Sequence, residues 1–213
     1  MKRIWKPFVA KDGGGLGYNP PVPPRDPRPQ LGTVTRQLIR DAARKVSELS
    51  HVRASRILVV AGEARRASRA TIRPLGNKLR QSKGRRPRVV LNGRRILYVI
   101  TLRPMFFRRS TAEARVETLL HELFHISGRF DGTLHRGRRH SLLPGKRFSA
   151  LLGPLVERYL AAMDPAIREA LGRRGEVLVR QWLERPPIRI SPRSSGRLLY
   201  TEDQLFLGPV RMT

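Results

Sequence analysis

His121-Glu122-Leu123-Phe124-His125 is the stretch from which the rest of the chain can be read. Two histidines four apart on a helix share a face, one turn apart, so both rings can reach one metal ion. Zinc is the usual occupant of such a pair, and Glu122 is then placed to take a proton from the water the ion activates. With five His and ten Glu in 213 residues, chance would produce the pattern about 0.005 times. Val116, Leu119, Leu120, Leu123 and Phe124 form an apolar stripe at helical spacing, and Ser110 with Glu113 has the form of a capping box that starts the helix.

Downstream, Gly128 is suited to a left-handed helix end, and Asp131-Gly132 to a turn. A zinc site needs at least a third protein ligand, and Asp131, His135 and His140 all follow. Asp131 completes a spacing of the metzincin type, but is equally well explained as an ordinary turn residue. His140 stands ahead of a helix expected over Phe148–Met163, which would pack on the motif helix and bring that histidine back over the metal. His135 suits a group beside the ligands or one touching substrate. Spacing leaves the three open. Pro154 lies inside the second helix, where a kink is expected, Asp164-Pro165 closes it, and Ile167 to Leu183 reads as a weaker helix or pair broken by Gly172 and Gly175. A tail with short extended pieces at 188–190 and 198–200 follows.

Upstream, Val34, Leu38, Ala42 and Val46 predict a helix from Thr33 to about Ser50, capped by Thr33 or Thr35, with Arg36, Arg40, Arg44 and Lys45 on its outer face. Ile57–Ala61 and Thr71–Leu75 read as strands, and 76–88 as a polar loop. Val89–Leu91 and Arg95–Leu102 read as a hairpin about Asn92-Gly93. The fold class is therefore α+β, with a small, mainly antiparallel sheet packed on the motif helix and the helix after it. Gly13–Gly15 and the prolines from Pro20 to Pro29 make 1–30 a disordered or extended tail. Residues 31–164 form the main domain, and 165–213 a helical extension and tail.

The chain has no cysteine, which excludes disulfides and any Cys-based zinc ribbon and fits a reducing compartment. No stretch reaches the 18 or so apolar residues of a membrane span and no signal-peptide core forms, so a cytoplasmic protein is expected. The net charge is +28 and uneven: residues 31–110 hold 21 basic and three acidic residues, whereas 111–164 hold eight and six. Such a block attracts polyanions by counterion release, and nucleic acid is the partner expected for 31–110.

From Leu119 to Tyr159, and in the strands from Ile57 to Leu102, the chain resembles bacterial and phage metallopeptidases related to the SprT-like zincins. The resemblance is carried by His-Glu-Leu-Phe-His-Ile at 121–126, Phe130-Asp131-Gly132-Thr133-Leu134, His140, and Lys146-Arg147-Phe148 ahead of an apolar helix. It implies a zincin-like fold in which His121, His125 and His140 hold Zn2+ and Glu122 is the general base. His135 stands where relatives are expected to carry arginine. The expected activity is zinc-dependent hydrolysis of peptide bonds, on protein or peptide substrates at or near nucleic acid. As a further transition-state stabiliser, Tyr98, Tyr159, His135, Arg136, Arg138 and Arg139 are all candidates. The alternative is a nucleic-acid-binding protein with a structural or vestigial zinc site, although structural sites usually close with four ligands, often Cys.

Overall fold

The structure, a computed structural model, describes residues 27–62, 68–75, 86–139, 142, 145–188 and 198–213. The N-terminal tail up to residue 26, most of the polar loop 76–88 and His140 lie outside the described residues. Helix α1 (Leu31–Lys45) leads to strands β1 (Ile57–Ala61), β2 (Ala70–Pro74), β3 (Arg88–Leu91), β4 (Arg94–Arg95) and β5 (Tyr98–Leu102). The short α2 (Pro104–Phe107) then precedes the motif helix α3 (Ala112–Phe124), α4 (Gly145–Ala162) and α5 (Pro165–Gly172). Strands β6 (Gly175–Trp182), β7 (Leu199–Tyr200) and β8 (Leu205–Met212) end the chain.

This is an α+β arrangement, as the sequence implies. The central sheet has the order β1-β5-β2, with β5 parallel to β1 and antiparallel to β2. Side chains of β1 alternate between two cores. Ile57 and Val59 join the main core with Leu38, Ile39, Leu119, Leu123 and Leu155, whereas Leu58 and Val60 face a smaller cluster with Val89, Val99 and Tyr200. Each fully buried aliphatic side chain contributes about 1.5–3 kcal/mol, so these two faces fix the sheet between α3 and the β3 layer.

The Asn92-Gly93 turn is present, with φ of 48° and 68° as the tight hairpin turn requires. Its second arm stops after Arg95. Leu97 donates its N–H to Arg56 O instead, and β5 enters the central sheet, burying Tyr98, Val99, Ile100 and Leu102. Burial between β1 and β2 thus outweighs a longer hairpin. The first helix starts two residues ahead of Thr33, after Gln30, and the Thr35 hydroxyl donates to Leu31 O inside it rather than capping it.

Residues 165–213, expected as a helical extension and tail, contain one short helix followed by the two longest strands among the described residues. Strands β6 and β8 pair antiparallel over eight residues, from Gly175↔Met212 to Trp182↔Leu205. Val177, Val179 and Met212 belong to the main core. The β-branched Val-Leu-Val run wins over helix because its alternate residues fill the space beside α1 and β1. Pro29 O accepts from Leu178 N at 2.9 Å, so the end of the expected N-terminal tail lies along β6.

Candidate active site

Thr111, not Ser110, caps α3: its Oγ1 accepts from Ala114 N at 3.2 Å, while the Ser110 hydroxyl donates to Met105 O. The apolar stripe of α3 is buried as the spacing predicts, including Leu119, Leu120 and Leu123. The helix ends at His125 without a left-handed residue at Gly128. The left-handed positions come later, at Phe130 (φ 48°) and Gly132 (φ 78°), where the loop folds back. Ile126 bridges Leu134, and His135 N donates to His125 O at 2.8 Å. Tyr98 locks this return: its hydroxyl accepts from Gly132 N and donates to Thr133 O, both at 3.0 Å. Burial pushes that phenol up to about 12.

Across this frame the rings of His121 and His125 lie 5.0 Å apart, centroid to centroid. Phe148 of α4 touches both, at 4.7 and 5.1 Å, and forms an apolar wall. His125 Nδ1 is 2.7 Å from Arg138 O. A carbonyl can only accept, so Nδ1 carries the proton and Nε2 is the ring nitrogen able to ligate a metal. Arg138 is itself held, with its guanidinium 3.9 Å from the centre of the Phe124 ring and donating to Phe124 O. A pair of neutral imidazoles on one face suits zinc. The donor chemistry fits.

Glu122 is 7% exposed. Burial pushes its carboxyl up to about 7, against the opposing pull of the Ile72 N–H and the Arg103 charge. Neither group is adjacent to the motif in sequence. Arg103 N bonds Arg69 O and Leu75 N bonds Leu97 O, so the odd-numbered residues of β2 turn their backbone groups towards β5. Ala70 and Ile72 therefore aim theirs outward, towards α3. Arg103 donates to Thr71 Oγ1 at 3.4 Å, while its Nε and Nη1 are buried without a hydrogen-bond partner.

These groups border a cavity of about 740 Å³. Glu117, Thr118, His121, Glu122 and His125 line it from α3 and Ala70, Thr71 and Ile72 from β2, with Ser68, Arg69, Met105, Leu134 and Arg139 completing the wall. Asp131 and His135 do not line it. Asp131 Oδ1 instead accepts from Thr133 N and Oγ1, the turn that its sequence context allows. Arg139, the residue before His140, does reach the cavity. Among the described residues no third His, Asp or Glu joins the two histidines in a metal-holding group. Of the candidate stabilisers, Tyr98 is committed to the loop and Tyr159 donates to Asp41, whereas Arg139 borders the cavity. Sequence reasoning missed Arg103 and the Ile72 amide, because strand pairing brings them in from a distance.

Comparison with known proteins gives one match. A family model described as "Putative phage metallopeptidase" matches residues 33–169. No curated protein and no solved structure matches the chain. No helix among the described residues is long and apolar enough to cross a membrane.

Proposed function

The chain belongs to this phage metallopeptidase family, and from that premise we propose that it is a zinc-dependent peptidase acting on proteins at or near nucleic acid. The observation that carries the reading is the buried Glu122 on the same cavity wall as two imidazoles 5.0 Å apart. His121, His125 and His140 would hold the ion. When bound, zinc would polarise the scissile carbonyl and lower the pKa of the attacking water towards about 7. Glu122, poised near 7 by burial, takes the proton and returns it to the leaving amine.

The substrate would lie as an extended strand along β2. Ala70 and Ile72 turn their backbone groups to the cavity, the Ile72 N–H towards Glu122, and among the described residues no strand pairs with that edge. Added backbone hydrogen bonds would hold the peptide, and Met105 and Leu134 would receive an apolar side chain. Nucleic acid would be met at the opposite edge of the central sheet, where a cavity of about 410 Å³ beside β1 is lined by Arg36, Arg40, Arg94 and Arg180 and by no carboxylate. Burial, then Arg180 and Arg40, lower the pKa of Arg36. Phosphates would relieve that crowding of like charges.

The test is metal content of wild type, Glu122→Gln and His140→Ala by mass spectrometry, with cleavage of a DNA-bound protein by each. The expected outcome is about one zinc per chain, retained without cleavage in Glu122→Gln and depleted in His140→Ala. A wild type without metal that binds DNA tightly would overturn the peptidase and leave a binding protein.

A further inference from the structure

The cavity around the histidine pair has two unlike ends. Arg103 N donates to Arg69 O, and Met105 O accepts from the Ser110 hydroxyl just ahead of α3, so the start of β2 lies beside the first turns of that helix. Further along both, the Ile72 N–H meets Glu122. Strand and helix therefore run side by side in one direction. Glu117 and Met105 stand at the near end of the cavity, whereas Leu134 and Arg139 close it beyond His125.

Glu117 is the one carboxylate in this wall besides Glu122 among the described residues. It precedes His121 by one turn on the same face of α3, about 6 Å along the axis. The polar groups around it are already engaged. Glu113 is 3.7 Å from Arg168, and Thr118 turns its hydroxyl to Ala114 O at 2.7 Å. Glu117 itself is exposed, and no ion pair among the described residues includes it. Arg69 borders the same end, but it alternates with Ala70, whose side chain enters the main core. Its own side chain leaves on the other face of the sheet, the face on which Arg73 bonds Pro186 O.

An extended peptide rises about 3.3 Å per residue. A substrate laid along β2 with its scissile bond at the histidines thus brings the residue two positions away opposite Glu117. An acidic side chain there would meet like charge, and an apolar one would cover the carboxylate without pairing it. Lys or Arg supplies the cation and lays its stem over Met105, which is 46% exposed. At the far end Arg139 repels the same cation, so the preference has a direction. We propose that Glu117 determines specificity, and that the enzyme cleaves segments carrying Lys or Arg two residues from the scissile bond, on the side towards the start of β2. The proposal rests on the peptidase reading above and names its substrate class. Basic segments are also those that nucleic acid holds, so substrate and place of encounter agree.

The test gives zinc-loaded, full-length protein a randomised peptide library and reads the cleaved products by mass spectrometry. Lys and Arg should be enriched two residues from the cut on one side only. Glu117→Gln should lose that enrichment, and Glu117→Arg should turn it to Asp and Glu. Between a Lys peptide and its Gln counterpart, kcat/KM should differ about 5-fold in wild type, largely in KM, and by little in Glu117→Gln. Binding gives a readout without turnover. Glu122→Gln should hold the labelled Lys peptide about 5-fold more tightly than the Gln peptide, and adding Glu117→Gln should erase the difference. Melting curves of the Glu117 variants should match the parent, because the side chain is exposed. Enrichment of Lys and Arg that survives Glu117→Arg would overturn the proposal. Cleavage indifferent to charge would do so too, and would leave the peptidase standing. No cleavage of any peptide by metal-loaded wild type would remove both.

Discussion

Helix α3 buries two charges, Arg115 and Glu122, seven residues apart and hence about 10 Å along its axis. Arg115 is 1% exposed and Glu122 7%. Burial alone makes them equals, and their partners separate them. Arg115 donates from Nε, Nη1 and Nη2 to five carbonyls, those of Phe106, Phe107, Leu171, Arg173 and Thr213. Several belong to the C-terminal ends of α2 and α5, where unpaired carbonyls and the helix dipole favour a cation. Glu122 has the Ile72 amide and the charge of Arg103, and its carboxyl still sits near 7. A saturated buried charge is a fastening. One left short of partners beside a cavity has the environment that the proposed proton transfer needs.

The largest effect that would sharpen this contrast is expected at Arg115. Arg115→Met keeps the bulk and takes the guanidinium donors from five acceptors, of which Phe107 O keeps the Thr213 N–H, so urea melts should show a loss of about 4 kcal/mol or more, even with zinc present. A loss under about 1 kcal/mol would break the distinction. Glu122 should behave in the opposite sense in metal-free protein. Its carboxyl is raised from 4.5 to about 7 on folding, so the folded state holds the proton more tightly. The cost of folding it charged is absent below about pH 4.5, grows between the two values and is complete above about 7. Glu122→Gln should therefore stabilise the metal-free chain by up to about 3 kcal/mol at pH 8 and by almost nothing at pH 4. Thermal melts at both values check the sign, and a pH-independent gain would contradict it.

A smaller change is expected at Arg103. Arg103→Met removes the cation that favours the Glu122 carboxylate, so the pH at which the Glu122→Gln gain is complete should rise by up to about one unit, with a larger gain above it. No movement would mean that Ile72 alone opposes the burial. The smallest effect belongs to the cap. Thr111→Ala should cost about 1 kcal/mol in denaturant melts. It touches neither buried charge, so peptidase activity per folded molecule should stay at the parent level.

What could be read in advance was local. The motif helix, Ile57–Ala61 and the helix carrying Phe148 announce themselves through periodicity, and His121, Glu122 and His125 share one face because five consecutive residues put them there. The misreadings concern choices made at a distance. Arg95 to Leu102 looks like one hairpin arm because Asn92-Gly93 is a strong turn, but β1 and β2 claim residues 98–102. Val177–Val179 is too short a run to tell helix from strand until its partner is known, and that partner, β8, contains both Gly208 and Pro209. Ser110 and Thr111 are adjacent hydroxyls, and only the path of α2 decides which one is free to cap. Arg103 and Ile72 reach Glu122 by sheet register, which no neighbouring residue records. His140 lies outside the described residues, and the third ligand stays a matter for the metal-content experiment.

The fastening of Arg115 also sets an order in time. Its acceptors at Phe106 and Phe107 are nearby, but those at Leu171, Arg173 and Thr213 lie 56, 58 and 98 residues further along. Synthesis runs in that direction, so the histidine motif leaves the ribosome complete while the helix that carries it still lacks most of its anchors. Contacts this remote in sequence form late. Until those residues have been made Arg115 has only the acceptors at Phe106 and Phe107, and the end of β8 supplies the last of its fastenings.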